Sequence, residues 1–359
     1  MQTNKKVFVG LSGGVDSAVS AALLQRDGYD VTGVFIKIWQ PEFTECTWRE
    51  DRLDAMRVAA HLKIPFREID LSDAYKDEVV RDMLAAYESG VTPNPDVLCN
   101  ERIKFGHFLQ YALDHGADFV ATGHYAINSK GPNGVYRLRR SADSQKDQSY
   151  FLYRLGQHEL SHALFPVGSL TKTAVRELAA EFGLPVAQKH DSQGLCFVGP
   201  VTIPEFLSRY ITLTPGIVRN TAGKVIGEHD GAALFTIGQR HGFRLTTPTA
   251  LPLYVVSINI AANEICVSES ADVAATERVA LSAMHWIADA HVDEDLLVQT
   301  RYRETPVNAR LHAGVVHFAQ PHVVSPGQSI VLYAGNDEKN ECLGGGIAQS
   351  DTSGIHTSA

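Results

Sequence analysis

The chain has 359 residues, 44% of them hydrophobic, and a formal net charge of −9. That length buries a sizeable core and implies two or three domains, and no apolar run approaches the ~20 residues that a bilayer span requires. The acidic balance excludes a chain-wide basic footprint, so any nucleic-acid contact must come from local patches. The five cysteines, Cys46, Cys99, Cys196, Cys266 and Cys342, are odd in number and widely spaced, with no CxxC pair. A disulfide framework and a zinc ribbon are thereby excluded. Residues 2–6 are polar and lead straight into an apolar strand with no signal-peptide core. The expectation is a soluble, cytoplasmic protein with no membrane association.

Residues 6–11 (KVFVGL) read as a short buried strand. SGGVDS follows at 12–17, then an apolar helix through Ala22, Leu23 and Leu24 that Gly28 stops. Residues 31–36 (VTGVFI) read as a second strand. Leu53, Met56 and Ala60 give a helical stripe ending before Pro65, and residues 66–69 a third strand. Tyr75, Val79, Met83 and Tyr87 lie at helical spacing up to Gly90. Phe105, Phe108, Leu109 and Ala112 line another helix, closed by Gly116, and residues 118–121 (DFVA) read as a further strand. Strands alternating with helices predict an α/β fold, a doubly wound parallel sheet.

From about Pro200 short apolar runs alternate with Gly, Pro, Thr and Asn (GIVRN, GKVIGEH, ALFTIGQRHG, LPLYVVSIN), the texture of a small, mainly β segment. After about Ala275 the alternation lengthens. In residues 307–313 (VNARLHA) the odd positions are apolar, while Asn308, Arg310 and His312 are polar. Residues 329–333 and 342–347 continue in this style, which predicts a small closed barrel or sandwich. The expected division is a catalytic α/β domain over 1–200, a central β-rich domain over 201–275, a C-terminal β-barrel over 276–352 and a frayed tail over 353–359.

SGGVDS places two glycines between a strand and a helix. Backbone N–H groups at a helix N-terminus make an anion site, and glycines let a phosphate approach them closely. Neither the GK[ST] of a Walker A loop nor the Rossmann GxGxxG is present; an ordinary glycine-rich turn is the competing reading. The motif resembles the pyrophosphate loop of the ATP pyrophosphatase (adenine-nucleotide α-hydrolase-like) family, whose members split ATP into AMP and pyrophosphate while adenylating a carbonyl-type oxygen. The loop alone does not choose among that family's ligases, synthetases and thiolases.

Two cysteines stand in contexts unlike core positions. Cys99 follows Asn94-Pro95-Asp96, where two prolines (Pro93, Pro95) fix an extended turn, and it precedes the helix carrying Phe105 and Phe108. A thiol near a helix N-terminus has its thiolate favoured. Cys196 lies in Gly194-Leu195-Cys196-Phe197, with Lys189, His190 and Asp191 nearby. Cys46, Cys266 and Cys342 lack such support and read as core or incidental residues.

In order along the chain, SGGVDS, TPNPDVLCNERIKF, ATGHYA, KDQSYFL, DSQGLCFVG, TIGQR and CLGGGI resemble the motifs of the bacterial tRNA-specific 2-thiouridylase family. The resemblance implies ATP and Mg²⁺ as cofactors, with Gly10, Leu11, Ser12, Gly13, Gly14, Val15, Asp16, Ser17, Ile36 and Gly123 at the nucleotide. Asp16 has the alternative of capping the helix, and Ile36 that of a buried strand residue. The resemblance further implies Cys196 as the persulfide carrier and Cys99 as the nucleophile that leaves a Cys99–Cys196 disulfide. Asn94, Pro95 and Asp96 would meet the target base. Asp96 would act as a general acid or base there, against a turn-capping reading.

His124, Lys146, Asp147, Gln148, Arg301, Tyr302 and Gln328 match tRNA-contact positions. The basic clusters Arg137, Arg139, Arg140, Lys146 and Arg301, Arg303, Arg310 read either as RNA contacts or as solvated surface. The partners implied are tRNA, at the wobble uridine of the anticodon loop, and a sulfur-donor protein. The rival readings are an argininosuccinate synthetase-like ligase, which leaves the cysteines and β domains without a role, and a non-catalytic RNA-binding protein. Residues 240–243 (RHGF) and the short loop at 245–252 depart from the family pattern.

Overall fold

The computed structural model of the protein describes residues 5–43, 48–190, 201–289, 294–335 and 340–350. The N-terminal part is built on a parallel sheet of β1 (Lys6–Gly10), β2 (Asp30–Lys37), β3 (Phe66–Asp70), β4 (Phe119–Ala121) and β7 (Ala163–Leu164), in the order β3-β2-β1-β4-β7. The central strand is buried on both faces: Val7 and Val9 point to one side, Phe8 to the other. A strand hidden on both faces reads as a continuous apolar run, as KVFVG does. Helices α1 (Val15–Arg26) and α2 (Trp48–Leu62) and the helix Lys172–Glu181 cover one face. Phe105, Phe108, Leu109 and Ala112 cover the other, so the sheet is doubly wound as expected.

Two elements differ from the sequence reading. On α2, Leu53 and Met56 are exposed, and Ala55, Val58 and Ala59 face the sheet instead. Small side chains let this helix approach closely, which a search for large apolar residues overlooks. The helix expected after Cys99 starts earlier, at Pro95. Asn94 caps it, its side-chain Oδ1 accepting from Val97 N at 3.4 Å, with Pro95 in the first turn. The helix continues through Cys99–His107, with wider turns, into Phe108–Asp114.

The central sheet orders its strands β10-β9-β8-β12-β11, from β8 (Gly216–Asn220), β9 (Val225–His229), β10 (Phe243–Leu245), β11 (Tyr254–Asn259) and β12 (Glu264–Ser268). Val218, Phe235, Val255, Ile265 and Val267 form its core. The C-terminal strands β13 (Ala275–Trp286), β14 (Asp295–Gln299), β15 (Val307–His312), β16 (Val315–Val323), β17 (Ser329–Ala334) and β18 (Glu341–Ala348) run β13-β16-β15-β14-β17-β18 and close by a β13–β18 pairing. This is a six-stranded antiparallel barrel. In β15, Ala309 and Leu311 point inward and Asn308, Arg310 and His312 outward, as the alternation predicts.

A hairpin of the N-terminal part, β5 (Ala126–Lys130) and β6 (Tyr136–Arg140), extends the barrel sheet through β18, with Glu341 opposite Arg139 and Cys342 opposite Leu138. No strand is expected over these polar residues from sequence. A lone hairpin is marginal in water, and this one is completed by a strand about two hundred positions away.

Candidate active site

Strand β1 ends at Gly10, and the chain turns through SGGVDS into α1 at the C-terminal end of the parallel sheet, where open α/β sheets hold their ligands. Leu11 and Val15 bury their side chains, and Leu11 N donates to Val34 O at 2.8 Å, which ties the start of the turn to β2. Gly13 has φ +76°, and a Cβ there would lie 2.4 Å from Asp51 O, so α2 closes over the loop only because the residue is glycine. Gly14 is the N-cap of α1 and offers no side-chain oxygen. Ser12 Oγ and Ser17 Oγ lie 3.1 Å apart, Gly14 N donates to Ser12 Oγ and Ser17 Oγ donates to Gly14 O. The turn is thus held by its own hydroxyls, at a helix start of the kind that can receive an anion.

Asp16 does not cap α1. Its carboxylate accepts from Lys172 Nζ at 2.7 and 2.9 Å and from the Tyr125 hydroxyl at 2.7 Å. Gly123 stands against the start of the same helix, since a Cβ there would lie 2.7 Å from Ser17 N. Ile36 packs over Gly10, its Cδ1 3.6 Å from where a Cβ would be, with Phe108 Cε1 at 3.7 Å.

The helix that starts at Pro95 carries the second group of candidates over this end of the sheet. Asp96 is half-buried; burial pushes its carboxyl above the usual 3.8, and Lys104 works in the opposite sense. Cys99 corrects its expected setting. It is in the second turn rather than ahead of the helix, is 4% exposed, and packs with Tyr75, Val79, Met83, Ile103 and Phe206. The dipole effect fades beyond the first turn, so the helix terminus lends this thiol little. Cys196 and the loop around it lie outside the described residues, as does Cys46. Lys189 is not a free cation beside that loop: its Nζ bonds Asp51 and Asp54, each at 2.7 Å. Cys342 is buried, as expected of a core thiol, and burial pushes it far up. Cys266 is part-buried on β12.

Comparison with known proteins decides what this arrangement belongs to. Residues 5–200 match the family profile described as the tRNA methyl transferase HUP domain, 204–269 the tRNA methyl transferase PRC-barrel domain, and 276–348 the aminomethyltransferase beta-barrel domain. The chain is 42% identical to the tRNA-specific 2-thiouridylase MnmA of Cupriavidus metallidurans over 362 residues, covering 97% of this chain and 100% of that one. It is 43% identical to the MnmA of Nitrosomonas eutropha (95% and 98% covered) and 41% identical to that of Histophilus somni (97% and 94%). The chain belongs to the tRNA-specific 2-thiouridylase family.

The thiouridylase positions expected at the RNA divide into two kinds. Thr92, at the start of the 92–96 segment, joins loops of the central and barrel domains. Gln328 Nε2 donates to Thr92 O at 2.8 Å, Thr92 N donates to Pro326 O, and the Thr92 and Thr236 hydroxyls lie 2.9 Å apart. Arg301 Nη2 donates to Ile237 O at 2.7 Å, tying barrel to central sheet, and Tyr302 stacks on Phe151 at 4.4 Å. Asp147, by contrast, is buried. Its oxygens accept from Arg140 Nε, Ser141 N, and Ser149 N and Oγ, the work of a structural acceptor. Gln148 Oε1 accepts from Tyr125 N. Lys146 is half-buried after Asp143, whose carbonyl its backbone N–H bonds. His124 is 7% exposed, and burial, with Lys104 beside it, holds its imidazole well below 6.5 and hence neutral.

Of the two basic clusters, Arg137 pairs with Glu341, Arg140 with Asp147 and Arg310 with Asp295. Arg137 and Arg140 have buried carboxylate partners, whereas the Arg310–Asp295 pair is exposed. Two lysines that sequence reading did not single out, Lys104 and Lys172, stand closer to the thiouridylase site. Lys104 lies inside the NERIKF segment and Lys172 opens a helix behind SLT; neither spacing marks a site without the fold. No group of three or more His, Cys, Asp or Glu that could hold a metal is found among the described residues, and no described helix is long and apolar enough to cross a membrane.

Proposed function

We propose that this chain, a tRNA-uridine 2-sulfurtransferase by family, activates the wobble uridine of tRNA with ATP and replaces its O2 by sulfur carried on Cys196. Uridine O2 attacks the α-phosphorus of ATP. The O2–P bond forms, the bond to pyrophosphate breaks, and the N3 proton passes to a base. Asp96 is suited to that proton, because burial favours its neutral form and brings it toward the operating range. The terminal sulfur of a Cys196 persulfide then attacks C2, and AMP leaves with the C2–O2 electron pair. Cys99 thiolate attacks Cys196 Sγ, and the S–S electron pair returns to the sulfur on C2. A Cys99–Cys196 disulfide results, which an external thiol reductant and a sulfur-donor protein must reset.

The observation that carries this reading is the meeting of the glycine-lined loop and the Pro95 helix at one sheet end: Phe108, on the helical run bearing Asp96 and Cys99, faces Gly10, its Cε1 3.7 Å from where a Cβ would be. Magnesium fits the donor set. It keeps several waters and needs only one or two carboxylates beside phosphates, and Asp16 would supply one on giving up its bond to Lys172. Bound there, it would neutralise phosphate charge. Because Cys99 is 4% exposed, RNA entry must open its packing against Phe206 and Tyr75.

The test compares Cys99→Ser and Cys196→Ser with wild type, given tRNA, ATP and a persulfide donor. Both variants are expected to form no 2-thiouridine by mass spectrometry of the nucleosides, while tRNA-dependent pyrophosphate release in a first turnover persists. Thiolation by either variant at the wild-type rate would overturn the sulfur route.

A further inference from the structure

Two lysine side chains flank the loop, and their charges are treated differently. Lys172 is held by Asp16 at 2.7 Å. Lys104 is half-buried, and among the described residues no carboxylate lies within ion-pair distance of it. Its Nζ sits 3.4 Å from His124 Nε2, a neutral ring clamped between Phe105 and Phe165, with Thr122 Oγ1 at 2.7 Å from Nδ1. Cations removed from water are ordinarily paired. This one has an uncharged ring as its hydrogen-bond partner, one residue from Gly123, whose backbone abuts Asp16 and Ser17, while Asp96 on the same helical run feels its charge from beyond ion-pair distance. It lies on the widened turns of Cys99–His107, one turn before Phe108, whose ring faces Gly10. Wide turns of this kind concentrate at functional sites because they re-aim side chains.

We propose that Lys104 is a catalytic residue of the thiolation, its ammonium binding the α-phosphoryl group that links uridine O2 to AMP. The inference rests on the adenylation reading above. In the adenylate that phosphoryl group is a diester. When sulfur attacks C2 and the C2–O2 bond breaks, the electron pair goes to the phosphoryl oxygens and AMP gains a negative charge. A cation fixed beforehand at that position stabilises the charge as it develops and needs no rearrangement. Lys172 does not fill this role in the resting state, since Asp16 holds it.

The experiment uses the full chain with tRNA, ATP and persulfide donor, and compares Lys104→Met and Lys104→Arg with wild type. For Lys104→Met, kcat for tRNA-dependent pyrophosphate release and for 2-thiouridine formation is expected to fall about 100-fold or more. The KM values for ATP and tRNA should stay within about 3-fold, the signature of an interaction made chiefly in the transition state. Lys104→Arg should recover at least about 10-fold of the loss, since charge rather than shape is at stake. Should Lys104→Met melt early, Lys104→Gln replaces it in the same comparison. The proposal is overturned if kcat stays within about 3-fold of wild type, if the loss falls on KM alone, or if Arg is as inactive as Met. If wild type releases no pyrophosphate with tRNA, the adenylation reading itself fails, whatever Lys104 does.

Discussion

The SGGVDS loop and the segment at residues 92–96, the two parts of the candidate site, are held by different means. The loop is a local object. Its serines bond one another and its own backbone, and Gly13 gives way to α2. The 92–96 segment has almost no local support before its cap at Asn94; it is fixed by Gln328 and Pro326 of the barrel region and Thr236 of the central sheet. The first design keeps the turn's geometry independent of motion elsewhere. The second makes the 92–96 segment depend on how the β domains sit, which under the proposed function suits a surface that must receive a large RNA.

Substitutions that damage one region and spare the other break or sharpen this contrast. The largest effect is expected at Gly13→Ala. The φ of +76° and the 2.4 Å approach to Asp51 O leave no room for a methyl group, and displacement of phosphates by about 1 Å costs on the order of 100-fold in rate. AMP formation and thiolation should fall together, while tRNA affinity by filter binding holds. Equal loss of tRNA affinity would show that the loop is not an independent unit.

A smaller effect is expected from acid. His124 titrates below its ordinary 6.5 because it is buried, with Lys104 adding repulsion. Between its folded value and 6.5 the unfolded chain binds a proton that the folded chain does not. Its contribution is therefore complete above 6.5 and is lost as pH falls, by at most about 1.4 kcal/mol per unit. Asp96, raised above 3.8, works in the opposite sense, so His124→Asn isolates the histidine. Urea midpoints at pH 7.5 and 5.5 should differ less in that variant than in wild type. The same difference in both would remove His124 from the account.

The smallest effect is expected at Gln328→Ala. Loss of the bond to Thr92 O costs about 1 kcal/mol and loosens the base-facing segment. KM for tRNA should rise a few-fold, about 2- to 5-fold by that energy, with ATP binding unchanged in calorimetry. An equal change in ATP affinity would contradict the separation of the two regions.

What was legible in the sequence follows the same division. The loop, the parallel sheet around β1 and the in–out alternation of β15 could be read directly, because each is a short-range pattern of backbone freedom or side-chain period. The phase of α2 is hidden from a search for large apolar residues because Ala55, Val58 and Ala59, not Leu53 and Met56, face the sheet. Cys99 was placed ahead of its helix because Pro93 and Pro95 signal a break, while Pro95 in fact opens the helix behind the Asn94 cap.

Composition and spacing determined by themselves that this chain carries a glycine-rich strand-to-helix turn on an α/β sheet followed by β domains, since those features depend on residues within a few positions of one another. Only the tertiary structure decided which charges remain available. Arg140 and Asp147 satisfy each other near one barrel wall, Lys189 is spent on Asp51 and Asp54, and Lys172 on Asp16. Lys104 is left beside a neutral histidine. Charge pairing acts over a few ångströms in space, and for most of these pairs the partners lie more than one hundred positions apart in the chain.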